Sequence, residues 1–207
     1  MNEQVSYVDG TLTVEQVPFT RIAAEVGSPV YVYSKAGMIG RYRALERALS
    51  GLSVSIYYAL KANSNLAVIR LFSALGAGMD VVSGGEMERG LRAGVAADKI
   101  VFAGVGKTVD ELAAALDVGI HQFNVESENE LRLLDQIAAD KGVIAPAAIR
   151  VNPDVDARTH EKMTTGRKEN KFGIDIERTP AMFALAAGLE NISLNSLSVH
   201  IGSQLMD

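Results

Sequence analysis

The chain has 207 residues, 48% of them hydrophobic, and a formal net charge of −5 at pH 7. Its length and apolar content allow a sizeable buried core. The mildly acidic balance, without a basic stripe interleaved with aromatic residues, argues against a nucleic-acid partner.

The cysteine and histidine content and the apolar segments exclude further classes of protein. The chain has no cysteine, which excludes disulfides and thiolate metal sites. His121, His160 and His200 are too far apart in sequence for metal-ligand spacing, so we expect no metal. No apolar run approaches the ~20 residues of a membrane span. The polar segment 1–13 lacks the apolar core of a signal peptide, so a cytoplasmic protein with no membrane partner is expected.

The N-terminal region predicts a hairpin, a short strand and a helix. Residues 5–14 alternate around Asp9-Gly10, which is typical of a β-hairpin. The run Pro29–Tyr33 predicts a short strand. Ser34 is expected to cap a helix that continues to about Leu49, with Gly51 after its end.

Strands and helices then alternate along the chain. We predict strands at 53–60, 78–82, 100–103, 121–125, 147–151 and 194–201. Helical spacing appears at roughly 65–75, 84–93, 108–118, 127–141 and 178–188, with capping boxes at Thr108/Glu111 and Ser127/Glu130. Glycines at the expected helix ends are Gly76, Gly94, Gly119 and Gly142. This alternation favours an α/β fold with a parallel sheet.

Lys61 is the strongest candidate for chemistry. It follows the apolar, β-prone run 54–60, and an apolar setting would favour the neutral amine that can form a Schiff base. The alternative is a solvated surface lysine just beyond a strand end.

Other polar residues lie within or just after the predicted strands: Asp80, Ser83, Asn124, Glu126, Arg150, Asn152, His200 and Ser203. In a parallel barrel these ends meet on the face where active sites lie. Each residue also has a purely structural explanation. Together, an amine, a carboxylate, a guanidinium and an imidazole suit a Schiff-base cofactor.

Two other segments bear on function. Gly104–Thr108 lacks the spacer of a nucleotide-binding phosphate loop, so a turn with Thr108 as helix cap is favoured. The polar segment 152–173 is unusually long for a connection inside such a repeat, which is typical of functional or disordered loops.

Separated motifs make the chain resemble the alanine-racemase-fold (fold-type III) pyridoxal-phosphate decarboxylases, in particular their diaminopimelate branch. These motifs are Tyr58-Ala59-Leu60-Lys61-Ala62-Asn63, Gly78–Glu86, Phe123–Ser127, Arg150–Ala157, Thr159-His160, Thr165-Gly166, Lys171-Phe172-Gly173 and His200–Gln204. The resemblance implies a (β/α)8 TIM-type barrel, here about six βα units. Residues 29–207 would form this incomplete barrel, and residues 1–28 would join a β domain beyond the chain.

The resemblance also implies roles. Lys61 would form the Schiff base with pyridoxal 5'-phosphate, and His200 would stack on its ring. Ser203 would hold the phosphate, while Asp80 and Arg150 would lie near the ring. A substrate-side loop would include Asn152, Arg158 and His160.

The implied reaction is decarboxylation of the amino acid meso-2,6-diaminopimelate to L-lysine and carbon dioxide by a homodimer. The alternatives are another basic-amino-acid decarboxylase of this fold, or a non-catalytic half-barrel that binds the cofactor. Residues 1–207 by themselves are expected to be inactive and poorly folded, because two sheet edges would be open.

Overall fold

A computed structural model describes residues 4–155 and 172–203 of the chain. The chain divides into two compact units. The first extends to Ile56 and includes Leu71–Ala77, and the second comprises Tyr57–Arg70 and the residues from Gly78 onward.

The first unit begins with a small antiparallel sheet. Strands β1 (Val5–Val8) and β2 (Thr11–Val14) pair as a hairpin, and β3 (Val17–Pro18) pairs with β2. Asp9 and Gly10 have φ angles of 47° and 75°, as a two-residue turn that follows strand twist requires. The predicted hairpin is therefore confirmed.

Two helices complete this part of the chain. Helix α1 (Phe19–Val26) follows β3, and α2 (Lys35–Ala48) begins where the sequence predicts, because the Ser34 hydroxyl accepts a hydrogen bond from the Gly37 N–H at 2.8 Å.

The predicted strand Pro29–Tyr33 is wrong. These residues are irregular and lead directly into α2. Alternating valine and tyrosine satisfy strand propensity, but a strand also needs a partner that pairs its backbone groups. None of the described strand pairings involves this segment, and Tyr31 is 90% exposed.

The second unit is built on a parallel sheet. Its strands are β4 (Tyr57–Ala59), β5 (Gly78–Val81), β6 (Ile100–Phe102), β7 (Gln122–Val125), β8 (Ala145–Asn152) and β10 (Ile192–Val199). Their spatial order is β10-β8-β7-β6-β5-β4, and every neighbouring pair is parallel. The two-residue β9 (Ile174–Asp175) pairs with the end of β8.

Helices follow the strands in the predicted alternation. They are α3 (Leu66–Ala74), α4 (Gly84–Arg92), α5 (Val109–Val118), α6 (Glu128–Lys141) and α7 (Thr179–Ala186). Helices α4, α6 and α7 contact the sheet, and apolar strand residues that include Met79, Phe102, Phe123 and Ile149 are fully buried. None of the described helices is both long enough and apolar enough to span a bilayer.

Burial differs between the strands because of their places in the sheet. β8 has neighbours on both sides, and all but one of its eight residues are buried. β10 ends the described sheet and alternates between half-buried and exposed residues. The carboxyl ends of the six parallel strands share one edge, where the polar residues of interest lie.

Gly78 provides a test of packing at the opposite end of the sheet. A Cβ atom at this position would overlap the Tyr57 ring and lie 2.8 Å from the backbone oxygen of Lys99. We expect Gly78→Ala to lower the free energy of unfolding by about 1–3 kcal/mol, measured by urea denaturation.

The matched control is Gly40→Ala, in the interior of α2, where an added Cβ meets no atom within 4 Å. This variant should be more stable by about 0.5–1 kcal/mol, because alanine loses less entropy in a helix. Equal effects of the two substitutions would contradict the packing described for Gly78.

Candidate functional site

Lys61 lies in a one-turn 3-10 helix, Leu60–Ala62, immediately after β4. The predicted apolar setting is wrong, because Lys61 is exposed while its neighbour Leu60 is fully buried. The turn places Lys61 beyond Ala59, the last paired residue of β4. Its charge nevertheless acts on Asp80 and His200, so the lysine lies within electrostatic range of both.

Asp80 lies on β5, next to Ala59 of β4 in the sheet. Burial raises the pKa of its carboxyl group. Lys61, Arg150 and Lys107 oppose this rise, and Glu86 adds to it. Asp80 is therefore a half-buried acid among several charged groups of both signs.

His200 directly follows β10 and is half-buried. Burial lowers its pKa, and the positive charges of Lys61 and Arg150 lower it further. The imidazole is therefore neutral around pH 7, because its ordinary value already lies below neutrality. The positive charges of Lys61 and Arg150 thus influence both Asp80 and His200, and these four residues were predicted from four different strands.

Arg150 is held by a buried ion pair at the end of β8. Its Nη1 donates a hydrogen bond to Glu126 Oε1 at 2.7 Å, and the two side chains are only 10% and 3% exposed. The guanidinium also lies over the Phe172 ring, 5.0 Å from its centroid. Arg150 is thus held in position on two sides.

Glu126 connects three chain segments through its carboxylate. Oε1 also accepts the Gly104 N–H at 3.0 Å, and Oε2 accepts the Gly173 N–H at 3.2 Å. Gly173 has φ +74°, and a Cβ there would lie 2.9 Å from the Arg150 backbone oxygen, so only glycine fits this approach to β8.

The other predicted residues are placed less closely. Asn152 is buried at the end of β8, where its Oδ1 accepts the Asp154 N–H at 3.1 Å. Ser203 is exposed, three residues beyond His200. Arg158 and His160 lie outside the described residues. Among residues 4–155 and 172–203, no group of three or more His, Asp or Glu side chains is arranged to hold a metal ion.

Lys107 was missed by the sequence reasoning, which treated residues 104–108 only as a turn. Its side chain is 1% exposed, and its ammonium donates hydrogen bonds to Gly104 O, Asn124 O and Glu130 Oε1 at 2.7–2.8 Å. The signal was present, because Lys107 follows β6 as Lys61 follows β4. The adjacent capping box, Thr108/Glu111, is confirmed.

The box at Ser127/Glu130 is only half formed. Ser127 Oγ accepts the Glu130 N–H at 3.1 Å, but Glu130 Oε2 accepts the N–H of Glu126 instead of Ser127, at 3.0 Å. Because Lys107 occupies the other carboxylate oxygen, Glu130 serves the polar cluster as well as the helix end.

The fold and this cluster define a cofactor-binding α/β domain, and comparison with known proteins identifies its family. The family "Pyridoxal-dependent decarboxylase, pyridoxal binding domain" matches residues 36–207. The chain belongs to this family, whose cofactor is pyridoxal phosphate.

Individual relatives are more specific. The diaminopimelate decarboxylase of Pseudomonas aeruginosa is 52% identical over 200 residues, covering 97% of this chain and 48% of the relative. The Helicobacter pylori diaminopimelate decarboxylase, solved with L-lysine, superimposes with a TM-score of 0.88 at 40% identity, covering 91% of this chain and 48% of that one. The M. jannaschii enzyme, also solved with L-lysine, gives 0.89 at 37% identity, covering 100% and 49%.

These matches confirm the alanine-racemase-type α/β fold and the expected family. The chain spans about half the length of the curated relatives it matches.

The site residues fit the cofactor on chemical grounds. Pyridoxal phosphate carries an aldehyde, an aromatic ring and an anionic phosphate. The exposed Lys61 offers a primary amine, the neutral His200 a flat ring, and Arg150 positive charge. The hydroxyl of Ser203 and the carboxyl group of Asp80 complete a donor set that could hold these three parts.

The buried ion pair is testable by removing one charge. Glu126→Gln keeps the shape of the side chain but leaves Arg150 buried without its counter-charge. We expect the free energy of unfolding to fall by about 3–5 kcal/mol in urea denaturation.

Glu128→Gln is the matched control. Glu128 is 40% exposed and pairs with Arg132 one turn along α6 at 2.9 Å. Its loss should cost no more than about 1 kcal/mol. A Glu126→Gln variant as stable as this control would contradict the role given to the pair.

Proposed function

We propose that the protein is a pyridoxal-phosphate-dependent decarboxylase that converts meso-2,6-diaminopimelate into L-lysine and carbon dioxide. The observation that carries this proposal is the gathering of Lys61, Asp80, Arg150 and His200 at one edge of the sheet. The 52% identity to a diaminopimelate decarboxylase supports the choice of substrate.

The proposed roles follow from the setting of each residue. Lys61 is accessible, so its amine would hold the cofactor through the cofactor's aldehyde group and would be open to exchange with the substrate amine. His200 would lie against the cofactor ring as a neutral imidazole, and Ser203 would bind the phosphate. Bound pyridoxal phosphate supplies an electron sink for the pair left behind when the carboxylate departs.

Asp80 and Arg150 would control charge beside the cofactor. Arg150 keeps a fixed position because Glu126 and Phe172 hold it on two sides. Burial raises the pKa of the Asp80 carboxyl group, while the positive charges of Lys61, Arg150 and Lys107 oppose that rise. These two groups are suited to tuning the ring and orienting the substrate.

The substrate side is proposed to be the segment that follows β8. This side would include the buried Asn152, the last residue of β8, together with Arg158 and His160 beyond it. Basic side chains there would suit a substrate with a second carboxylate at its far end.

A second candidate is decarboxylation of another basic amino acid. The lysine/ornithine decarboxylase of Vibrio vulnificus, solved with putrescine, is 27% identical and superimposes with a TM-score of 0.73. The higher identity to diaminopimelate decarboxylases favours the first candidate. We further propose that the enzyme works as a cytoplasmic homodimer, as the resemblance implies.

The Schiff-base lysine can be identified chemically. Borohydride reduction of the purified protein with pyridoxal phosphate, followed by peptide mapping, should place a phosphopyridoxyl group on Lys61. Lys61→Arg should abolish this label, whereas Lys141→Arg, at a lysine paired with Asp117 on α5, should not. A label on Lys35, Lys107 or Lys171 instead would show that the assignment of Lys61 is incorrect.

The substrate is tested by comparing the rates at which different amino acids are decarboxylated. We expect kcat/KM for meso-diaminopimelate to exceed that for L-lysine and L-ornithine by roughly a hundredfold or more, since sites that bind a polar group reject analogues lacking it. Carbon dioxide release from each amino acid measures this directly. The assay uses a whole enzyme that contains this chain, because residues 1–207 by themselves are expected to be inactive. A preference for lysine or ornithine would favour the second candidate, and release from none of them would favour a non-catalytic cofactor-binding protein.

A further inference from the structure

The buried lysine after β6 has a place that the proposed reaction does not use. Lys107 is 1% exposed, and its three hydrogen bonds, to Gly104 O, Asn124 O and Glu130 Oε1, use all three protons of an ammonium group. A lysine so enclosed cannot exchange partners with substrate or solvent without breaking these bonds. Its role is therefore to hold other groups.

The first group it holds is the main chain of Glu126. Glu130 accepts Lys107 on Oε1 and the Glu126 N–H on Oε2, so one carboxylate bridges the lysine to the residue that binds Arg150. Lys107 also holds the carbonyl oxygen of Asn124, two residues before Glu126 in the chain.

The second group it holds is Gly104. The carbonyl oxygen of Gly104 accepts Lys107 at 2.8 Å, while its N–H donates to Glu126 Oε1 at 3.0 Å. Lys107 therefore fixes Glu126 by two routes, through the backbone by way of Glu130 and through the carboxylate by way of Gly104. Both routes end at the residue that binds Arg150.

Charge balance makes the arrangement interdependent. Lys107 and Arg150 are the cations of the cluster, and Glu126 and Glu130 its anions. Removing the Lys107 charge leaves two enclosed carboxylates, Glu126 and Glu130, and Arg150 as the remaining cation among these four residues. Arg150 would then be drawn by both, away from the position in which Glu126 and Phe172 hold it.

We propose that Lys107 and Glu130 form a positioning pair that fixes Glu126 and thereby sets the place of Arg150 beside the bound cofactor. This inference rests on the proposed role of Arg150 at the cofactor. It predicts that a residue with no contact to the cofactor controls how tightly the cofactor is bound.

The experiment is a double-mutant cycle on cofactor affinity. Kd for pyridoxal phosphate is measured by absorbance titration on a whole enzyme that contains this chain. The titration compares the unsubstituted protein, Lys107→Met, Arg150→Met and the double variant, each below its melting temperature. Lys107→Met should weaken binding about tenfold or more, as loss of outer partners does at metal sites. In the Arg150→Met background the same substitution should change Kd less than about threefold, because Lys107 acts through Arg150.

Lys141→Met is the matched control. Lys141 also pairs with a carboxylate distant in sequence, Asp117 at 2.6 Å, but on the helices α5 and α6 and away from the strand ends. It should leave Kd unchanged within about twofold. Melting temperatures of all variants separate loss of affinity from loss of stability.

The results decide the matter in either direction. A lower melting temperature for Lys107→Met with an unchanged Kd would reduce the pair to a structural role and overturn the proposal. Equal effects in both backgrounds would also overturn it, because Lys107 would then act independently of Arg150. If Lys107→Met does not fold, Glu130→Gln tests the same bridge with shape retained, and an unchanged Kd there would again overturn it.

Failure of the proposed function would look different. If a whole enzyme that contains this chain binds pyridoxal phosphate but releases no carbon dioxide from diaminopimelate, the assigned reaction is wrong. The affinity cycle still decides the role of Lys107 and Glu130 in that case.

Discussion

The buried carboxylate of Glu126 is the constraint on which this end of the sheet depends. It receives Arg150 from β8, the Gly104 N–H from the loop after β6 and the Gly173 N–H from the segment before β9. A charge enclosed to this degree is tolerated only when its acceptor sites are satisfied. The segments that supply these donors are therefore all bound to the Glu126 carboxylate, which fixes the spacing of the strand ends.

That anchoring allows the neighbouring groups to be less constrained. Lys61 is exposed in its turn, and Asp80 and His200 are only half-buried. The pKa shifts of Asp80 and His200 have the same leading cause, burial, but opposite directions, because burial disfavours the charged form of each. The buried cluster around Glu126 thus lies beside three more accessible side chains, those of Lys61, Asp80 and His200. An accessible amine is suited to bind first one carbonyl compound and then another.

Local sequence patterns predicted most of the elements because their signals are local. Asp9-Gly10 can form a tight turn without distant contacts, and Ser34 and Thr108 cap their helices through residues only three positions away. The alternation of strands and helices likewise follows from hydrophobic periodicity. The strand expected at Pro29–Tyr33 failed because a strand requires a partner, and no local pattern supplies one.

The sequence by itself determined the family, the order of the six parallel strands and of the helices between them, and the likeness of Lys61, Asp80, Arg150 and His200 to residues of a Schiff-base site. The motifs that carry these conclusions are short and contiguous, so they can be read without coordinates. Only the tertiary structure decided that Lys61 is exposed, that the Glu130 carboxylate accepts the N–H of Glu126, and that Lys107 is a buried member of the cluster. The cluster depends on bonds between residues 17 to 47 positions apart, whose distances are set by parallel strand pairing and not by spacing along the chain.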